Sequence, residues 1–445
     1  MQGMTIRRKS MLGLETEMYL LNKEGKMVND ADKVLENFKD RKISKFLHIE
    51  MPRSVIEMTV VAKRSIKDCA VSFMDNLIEF AETTHELGYN LLPLGTHPGR
   101  ADMSVRQNSW LDGKRAVIGS DAIKNASRAC GFHYHFTMPE GIIEKSSYKI
   151  KDIQRSEARR VFLQQYNFLL ACDPVMINIC QSTPFWQGIH YGKDCRVFGY
   201  RDLMVTRGKH LLKGAHYYFP LMGGLPNYEF TLQDLRVQAD HRKTEWLKQL
   251  EQVNYPTNEI ATMLPFKFMW GPLRVNKIGT IEYRGPDMNH PDVVFSASSL
   301  LKYSLDAIEK NEYMVKPSDI GISEPFVLED GIIYVPPFST LKYLERQSAT
   351  AGLESPEALS YCKRMIDLFT KITKKQKSKN LKRVLQMIEE RRTVSDEMLD
   401  LVRKNGYDPA EEVPEDMLNH LALYEADRFM KSLKKTRKLF EKFRD

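Results

Sequence analysis

The chain has no Cys-x-x-Cys pair. Its six cysteines, at positions 69, 130, 172, 180, 195 and 362, stand far apart, which argues against both a disulfide framework and a thiolate zinc site. Nowhere do about 18 apolar residues run uninterrupted, so no membrane span is expected. Met1 to Ser10 carries Arg7, Arg8 and Lys9 but leads into Gly13-Leu14-Glu15 rather than an apolar core; no secretory signal is expected, and the protein reads as cytoplasmic. Neither G-x-x-x-x-G-K-[ST] nor a post-strand G-x-G-x-x-G occurs, so a bound nucleotide would have to be held through acids and metal. A G-x-S-x-G elbow is also missing, which leaves a serine-triad reading unsupported.

What is present is enough for a large core. The 445 residues, 42% apolar and 28% charged, predict an ordinary globular protein with one sizeable body plus an appendage. Most of the net charge of +8 is contributed after Tyr361. A basic tail can touch nucleic acid, but a solvated helical face is the commoner origin, and a nucleic-acid partner is not favoured.

Alternation predicts strands at Leu12–Leu21, Ser54–Val61 and Ala129–Met138, and two strands in 272–284 turning at Asn276 to Gly279. A hairpin over 326–335 turns at Asp330-Gly331. Helices are predicted after the Ser65/Asp68 cap, over Arg155–Leu170 and Pro174–Cys180, after the Thr231/Asp234 pair, and over Pro291–Asn311. Residues 31–46, polar with a weak helical period, are expected to cover an edge, and the polar crossing around Trp110, Lys114 and Arg115 carries no assignment. Gln181–Tyr200 reads as a long functional loop. Hairpins rather than regular βαβ units argue for an α+β fold with a mainly antiparallel sheet. The domain division expected is 1–337, catalytic, and 338–445, a helical C-terminal extension.

Three strand-like segments each offer two polar side chains to one face: Glu15 with Glu17, His133 with His135, and Glu282 with Arg284. Glu57 belongs to a fourth strand, while Glu50, across Pro52, lies in the approach to it. Converging carboxylates repel unless divalent cations neutralise them, and oxygen ligands with an imidazole suit Mg²⁺ or Mn²⁺ better than zinc. The residues alone also admit plainer readings: Glu15 and Glu17 facing solvent, the histidines packed in a core, Glu282 and Arg284 as an ion pair. Cys130 reads as a buried thiol rather than a nucleophile.

In order, the chain carries Gly13-Leu14-Glu15-Thr16-Glu17, Glu50 with Glu57-Met58-Thr59, and Gly95-Thr96-His97-Pro98. Cys130-Gly131-Phe132-His133-Tyr134-His135, Ser182-Thr183-Pro184-Phe185-Trp186 with Gly188, and Gly279-Thr280-Ile281-Glu282-Tyr283-Arg284 follow. This series resembles the glutamate-cysteine ligase type 2, or carboxylate-amine ligase, family, whose catalytic domain is related to that of glutamine synthetase. The resemblance implies a curved antiparallel sheet flanked by helices. It implies ATP and Mg²⁺ (or Mn²⁺) as cofactors, with Glu15, Glu17, Glu50, Glu57, His133 and Glu282 as metal ligands. Arg284 would steady the transferring phosphoryl group, and His135 matches a position less uniformly a ligand. Arg196 and Arg201 compete for contact with substrate or phosphate, with Arg201 preferred. The activity implied is ATP-dependent γ-glutamyl amide formation with cysteine as the first amine, a step of glutathione biosynthesis. Small-molecule substrates are the implied partners, and a homo-oligomer is left open. Two alternatives stand beside it: a ligase for another amine or carboxylate, and a non-catalytic relative that binds nucleotide or nucleic acid through the basic C-terminal region.

Overall fold

The computed structural model describes residues 10–144, 149–151 and 156–444. The basic residues Arg7 to Lys9 and the helix start expected at Arg155 lie outside them. Among the described residues, the main sheet has seven strands: β1 (Leu12–Leu21), β2 (Leu47–Ile49), β3 (Val55–Lys63), β4 (Asn90–Leu92), β5 (Phe132–Thr137), β6 (Leu273–Asn276) and β7 (Thr280–Tyr283). Their order is β6-β7-β5-β1-β3-β2, with β4 pairing the far end of β1, and every pairing is antiparallel. The fold is α+β, as expected.

Register explains how the sheet sorts its side chains. Directly opposed residues of an antiparallel pair share a face. Glu17 stands opposite Glu57, Glu15 opposite both Thr59 and His133, Gly13 opposite His135, and Glu282 opposite both His135 and Arg274. One face of five adjoining strands is therefore polar from Glu57 across to Arg274. The alternate residues, Leu14, Met18, Phe132, Tyr134, Ile281 and Tyr283 among them, turn to the other side and are buried.

That apolar side is covered by helices α1 (Ile66–Glu86) and α2 (Pro291–Asn311). Ser65 caps α1 by accepting from the Asp68 amide, and Pro291 opens α2 where its missing N–H costs nothing. Phe73 of α1 meets both Phe132 (5.7 Å between ring centroids) and Phe295 of α2 (5.3 Å), a T-shaped cluster of the favoured kind. Beyond Pro337 the chain is helical, and these helices share a continuous hydrophobic core with the sheet. The last long helix, α3 (Glu415–Phe440), packs on α1 and β4, and Phe440 stacks 4.7 Å from Phe295. No helix among the described residues is long and apolar enough to cross a membrane.

Several elements depart from the sequence-based expectation. The 31–46 stretch resolves into short helices followed by β2. The crossing around Trp110 is two helices, Ser109–Ile118 and Ser120–Ser127, the first capped by Asn108. Gln181–Tyr200 contains a minimal hairpin and a helix, Cys195–Tyr200, rather than unstructured loop. The hairpin turning at Asp330-Gly331, both with positive φ, pairs in parallel with an unforeseen strand, Met314–Pro317.

Candidate active site

The polar face of the sheet gathers two adjoining groups of potential ligands. Glu15, His135 and Glu282 each offer an atom within 4.8 Å of the others, and so do Glu17, Glu50 and Glu57. His133 stands between the groups, with Nδ1 3.2 Å from Glu15 Oε2 and Nε2 3.8 Å from Glu17 Oε1. Glu50 follows β2 and is turned inward by the Met51 amide, which donates to its Oε2 at 3.0 Å. Glu17 is aimed by the Gly131 amide at 2.6 Å. His135, the second-tier histidine of the motif, belongs to the first group: Thr280 Oγ1 meets its Nδ1 at 3.0 Å, and its Nε2 lies 3.0 Å from Glu15 Oε1. A ring nitrogen fixed by a hydroxyl while the other faces carboxylates is the usual posture of an imidazole ligand.

Electrostatics separates the acids into two kinds. Burial works against ionisation of Glu15 and Glu282, but hydrogen bonds from His133 and His135 hold Glu15 well below the usual carboxylate range, and Arg274 and Arg284 do the same for Glu282. Glu282 is fully buried and accepts from Arg274 Nε at 2.7 Å, Arg284 Nη1 at 2.8 Å and Asn276 at 2.6 Å. In the other group, among the described residues, no lysine or arginine forms an ion pair with an acid, and only His133 comes within ion-pair reach. Burial, then the neighbouring Glu15, Glu50 and Glu17, pushes Glu57 up to about 10, and burial with Glu17 raises Glu50. Three oxygen ligands that cannot all ionise without a partner suit a hard divalent cation.

The arginines differ in a way the sequence does not show. Arg196 donates to the backbone carbonyls of Gly285 (2.9 Å) and Arg284 (3.2 Å) and lies 3.8 Å from Asp287, whose other oxygen anchors Ser182 and Thr183. Arg201 is buried in an ion-pair cluster, with Asp173 at 2.5 Å and Glu345 at 2.7 Å. Its donors are committed to those two acids. The Gly95-Thr96-His97 segment is likewise occupied structurally: the Gly95 amide donates to the Ser182 hydroxyl and Gly95 leaves no room for a Cβ beside Asp287, Thr96 donates to the Phe185 carbonyl, and His97 contacts the Gly25 carbonyl.

Beside the acids opens a cavity of about 390 Å³ that Glu17, Glu50, His133, Arg196 and Arg284 reach from the sheet side. Arg274 reaches it from the sheet as well, and its opposite wall is built from Trp110, Lys114, His216 and Trp270. Of the lining, sequence reasoning missed His216, Trp270 and Arg274, the last although it faces Glu282 across a hairpin whose turn was legible.

Gly131 sits where the groups meet. A Cβ there would lie 2.6 Å from Arg196 Nη2 and 2.8 Å from His133 Nε2. Gly131→Ala is therefore expected to displace both side chains, lowering Mg²⁺ affinity about tenfold or more with little change in melting temperature; titration calorimetry with Mg²⁺ alone would check it.

No curated protein matches the chain in sequence. Many solved structures share its fold, two enzymes among them. A bifunctional glutathione synthetase from Pasteurella multocida superposes with a TM-score of 0.54 at 13% identity, covering 97% of this chain and 56% of that one. A glutamate–cysteine ligase from Francisella tularensis, in complex with AMP, does so with a TM-score of 0.59 at 11% identity, covering 97% of this chain and 93% of that one. This chain thus spans little more than half of the first and nearly all of the second. The family model described as glutamate-cysteine ligase family 2 (GCS2) matches residues 11–196, a stretch that includes β1, β3, β5 and all the ligand candidates except Glu282. Over these residues the chain is similar to the glutamate-cysteine ligase family 2.

Proposed function

We propose that this protein is an ATP-dependent carboxylate-amine ligase that activates the γ-carboxylate of glutamate and joins it to an amine, with cysteine the first to try. The observation that carries the reading is the pair of acid groups joined through His133 and bordered by Arg284. The family match and the AMP-bound F. tularensis enzyme of the same fold support an adenine nucleotide as co-substrate. The acids fit Mg²⁺, with Mn²⁺ as a substitute: Glu15, His135 and Glu282 would hold one ion and Glu17, Glu50 and Glu57 another, with His133 between. When bound, the ions would screen the negative charge of the ATP phosphates.

A carboxylate does not react with an amine at neutral pH. In the proposed reaction it attacks the γ-phosphoryl group and ADP leaves; the amine then attacks the acyl phosphate carbonyl, loses a proton and expels phosphate. Arg284, placed by the strand that carries Glu282, would meet the charge on the transferring phosphoryl oxygens. Arg196, hydrogen-bonded to the Arg284 backbone, takes the substrate-side contact in this reading, and Arg201 acts by positioning. Residues 1–337 would carry the chemistry and the helices of 338–445 would brace them.

The test is phosphate release from Mg-ATP with glutamate and a panel of amines, with product mass determined. Release with cysteine supports the specific reading, and release with another amine reassigns the acceptor. No release with any pair would sink the ligase reading.

Metal binding has its own signature. With its folded-state value raised from 4.5 to about 10, Glu57 favours the metal-free fold when protonated. Its contribution is complete at low pH and is lost as pH rises through that window. Metal-free protein should therefore lose melting temperature with rising pH, and Mg²⁺ should flatten the slope. At 100 times its dissociation constant the ion adds about 2.7 kcal/mol. Glu57→Gln should leave only the smaller slope that Glu50 contributes and remove most of the Mg²⁺ gain.

A further inference from the structure

The wall of the cavity opposite the acids carries a lysine without a counter-ion. Lys114 projects from the Ser109–Ile118 helix, and its ammonium lies 3.8 Å from the ring centroid of Trp270 and 5.3 Å from that of Trp110. Among the described residues no hydrogen bond or ion pair engages it. Burial, then Arg284, Arg274 and Lys267, pulls its pKa down to about 7. His216, on the same wall, is held down to about 3 by burial and by Lys114 itself, so it adds no counter-charge. Of the nearby acids, Glu282 is already shared by Arg274 and Arg284.

A buried ammonium with like charges around it is costly to maintain. Nothing in the packing requires it: a methionine would cover the same indole surface, since the stem of a lysine is what packs and the head is what costs. The platform beneath it is rigid, with Trp270 packed 4.8 Å from the buried Trp246 and 5.9 Å from Trp110. A fixed, desolvated cation facing a cavity is the arrangement that recognises a negative group.

We propose that Lys114, seated on Trp110 and Trp270 and flanked by Arg274 and Lys267, is a subsite for an anionic group of the substrate distinct from the carboxylate that reacts. This rests on the ligase reading and narrows it: one substrate carries a second negative group, a carboxylate or a phosphate, that reaches the wall opposite the acid groups. Monoanionic acids and simple alkylamines lack the group that Lys114 would hold.

Trp110 and Trp270 make the subsite its own reporter, without ATP or turnover. The full-length protein is titrated with glutarate and, separately, with inorganic phosphate at constant ionic strength, and tryptophan emission is followed. A saturable change is expected with at least one of the two. Lys114→Met should weaken it tenfold or more, Lys114→Arg should stay within about threefold of wild type, and both variants should keep their far-UV circular dichroism. Saturation by glutarate identifies a carboxylate, and saturation by phosphate alone identifies a phosphoryl group. Absence of saturation with both, or equal binding in Lys114→Met, overturns the subsite. Because wild-type phosphate release from ATP is measured separately, its persistence alongside a failed titration would remove the subsite and leave the ligase reading standing.

Discussion

Replacing Glu282 by glutamine is expected to lower ATP-dependent phosphate release on the order of 10³-fold or more while the protein still melts cooperatively. The carboxylate is fully buried yet ionised, because Arg274 and Arg284 outweigh the cost of burial. It also supplies one atom of the group formed with Glu15 and His135. Glutamine keeps the shape and a carbonyl for the arginines but removes the charge that a divalent ion needs. Activity within tenfold of wild type would take Glu282 out of the metal site. Far-UV circular dichroism separates the chemical loss from unfolding.

The second large effect concerns stability. Arg201→Met should cost about 3–5 kcal/mol, the usual consequence of removing one partner from a buried ion pair. Asp173 and Glu345 are both fully buried, and without the guanidinium each would be left with an uncompensated charge. Lys342 still reaches Glu345 at 2.7 Å, and the Tyr283 hydroxyl still donates to Asp173 at 2.9 Å, so some compensation survives. Urea denaturation should show a lower midpoint with an unchanged slope. Turnover per folded molecule should fall far less than in Glu282→Gln. The opposite pattern, normal stability with lost turnover, would return Arg201 to direct substrate contact.

Much of this site was legible because it depends on alternation. Glu15 and Glu17, His133 and His135, and Glu282 with Arg284 repeat the period of a strand, and strands that long and apolar leave little doubt about their type. Pairing is less visible. That Glu17 meets Glu57, or that His135 meets Glu282, follows from register between strands distant in sequence, and ranking His133 above His135 had no physical basis in spacing. Arg196 and Arg201 illustrate the same limit. They are near neighbours in sequence, and what separates them is that Asp173 and Glu345 are brought to one of them from 28 and 144 residues away. The Trp110 helix escaped notice because it is short and packs its aromatic side against Trp270 and Phe268, residues whose proximity only the fold reveals. β2 has three residues, too few for any period to show.

The docking of α3 bears on how the protein is made. Asn419 of α3 presents its carbonyl so close to Gly25, in the turn after β1, that a Cβ there would lie 2.1 Å away. Glu415 also receives the Arg100 amide just beyond β4. The turn after β1 is therefore completed by a segment far along the chain. During synthesis the outer surfaces of α1 and β4 wait uncovered until Glu415–Phe440 has been made, a long interval in which apolar surface is open to chaperones and to other nascent chains. A chain cut before Glu415 would keep the acids and histidines of the sheet face but lack the clasp on Gly25 and Arg100.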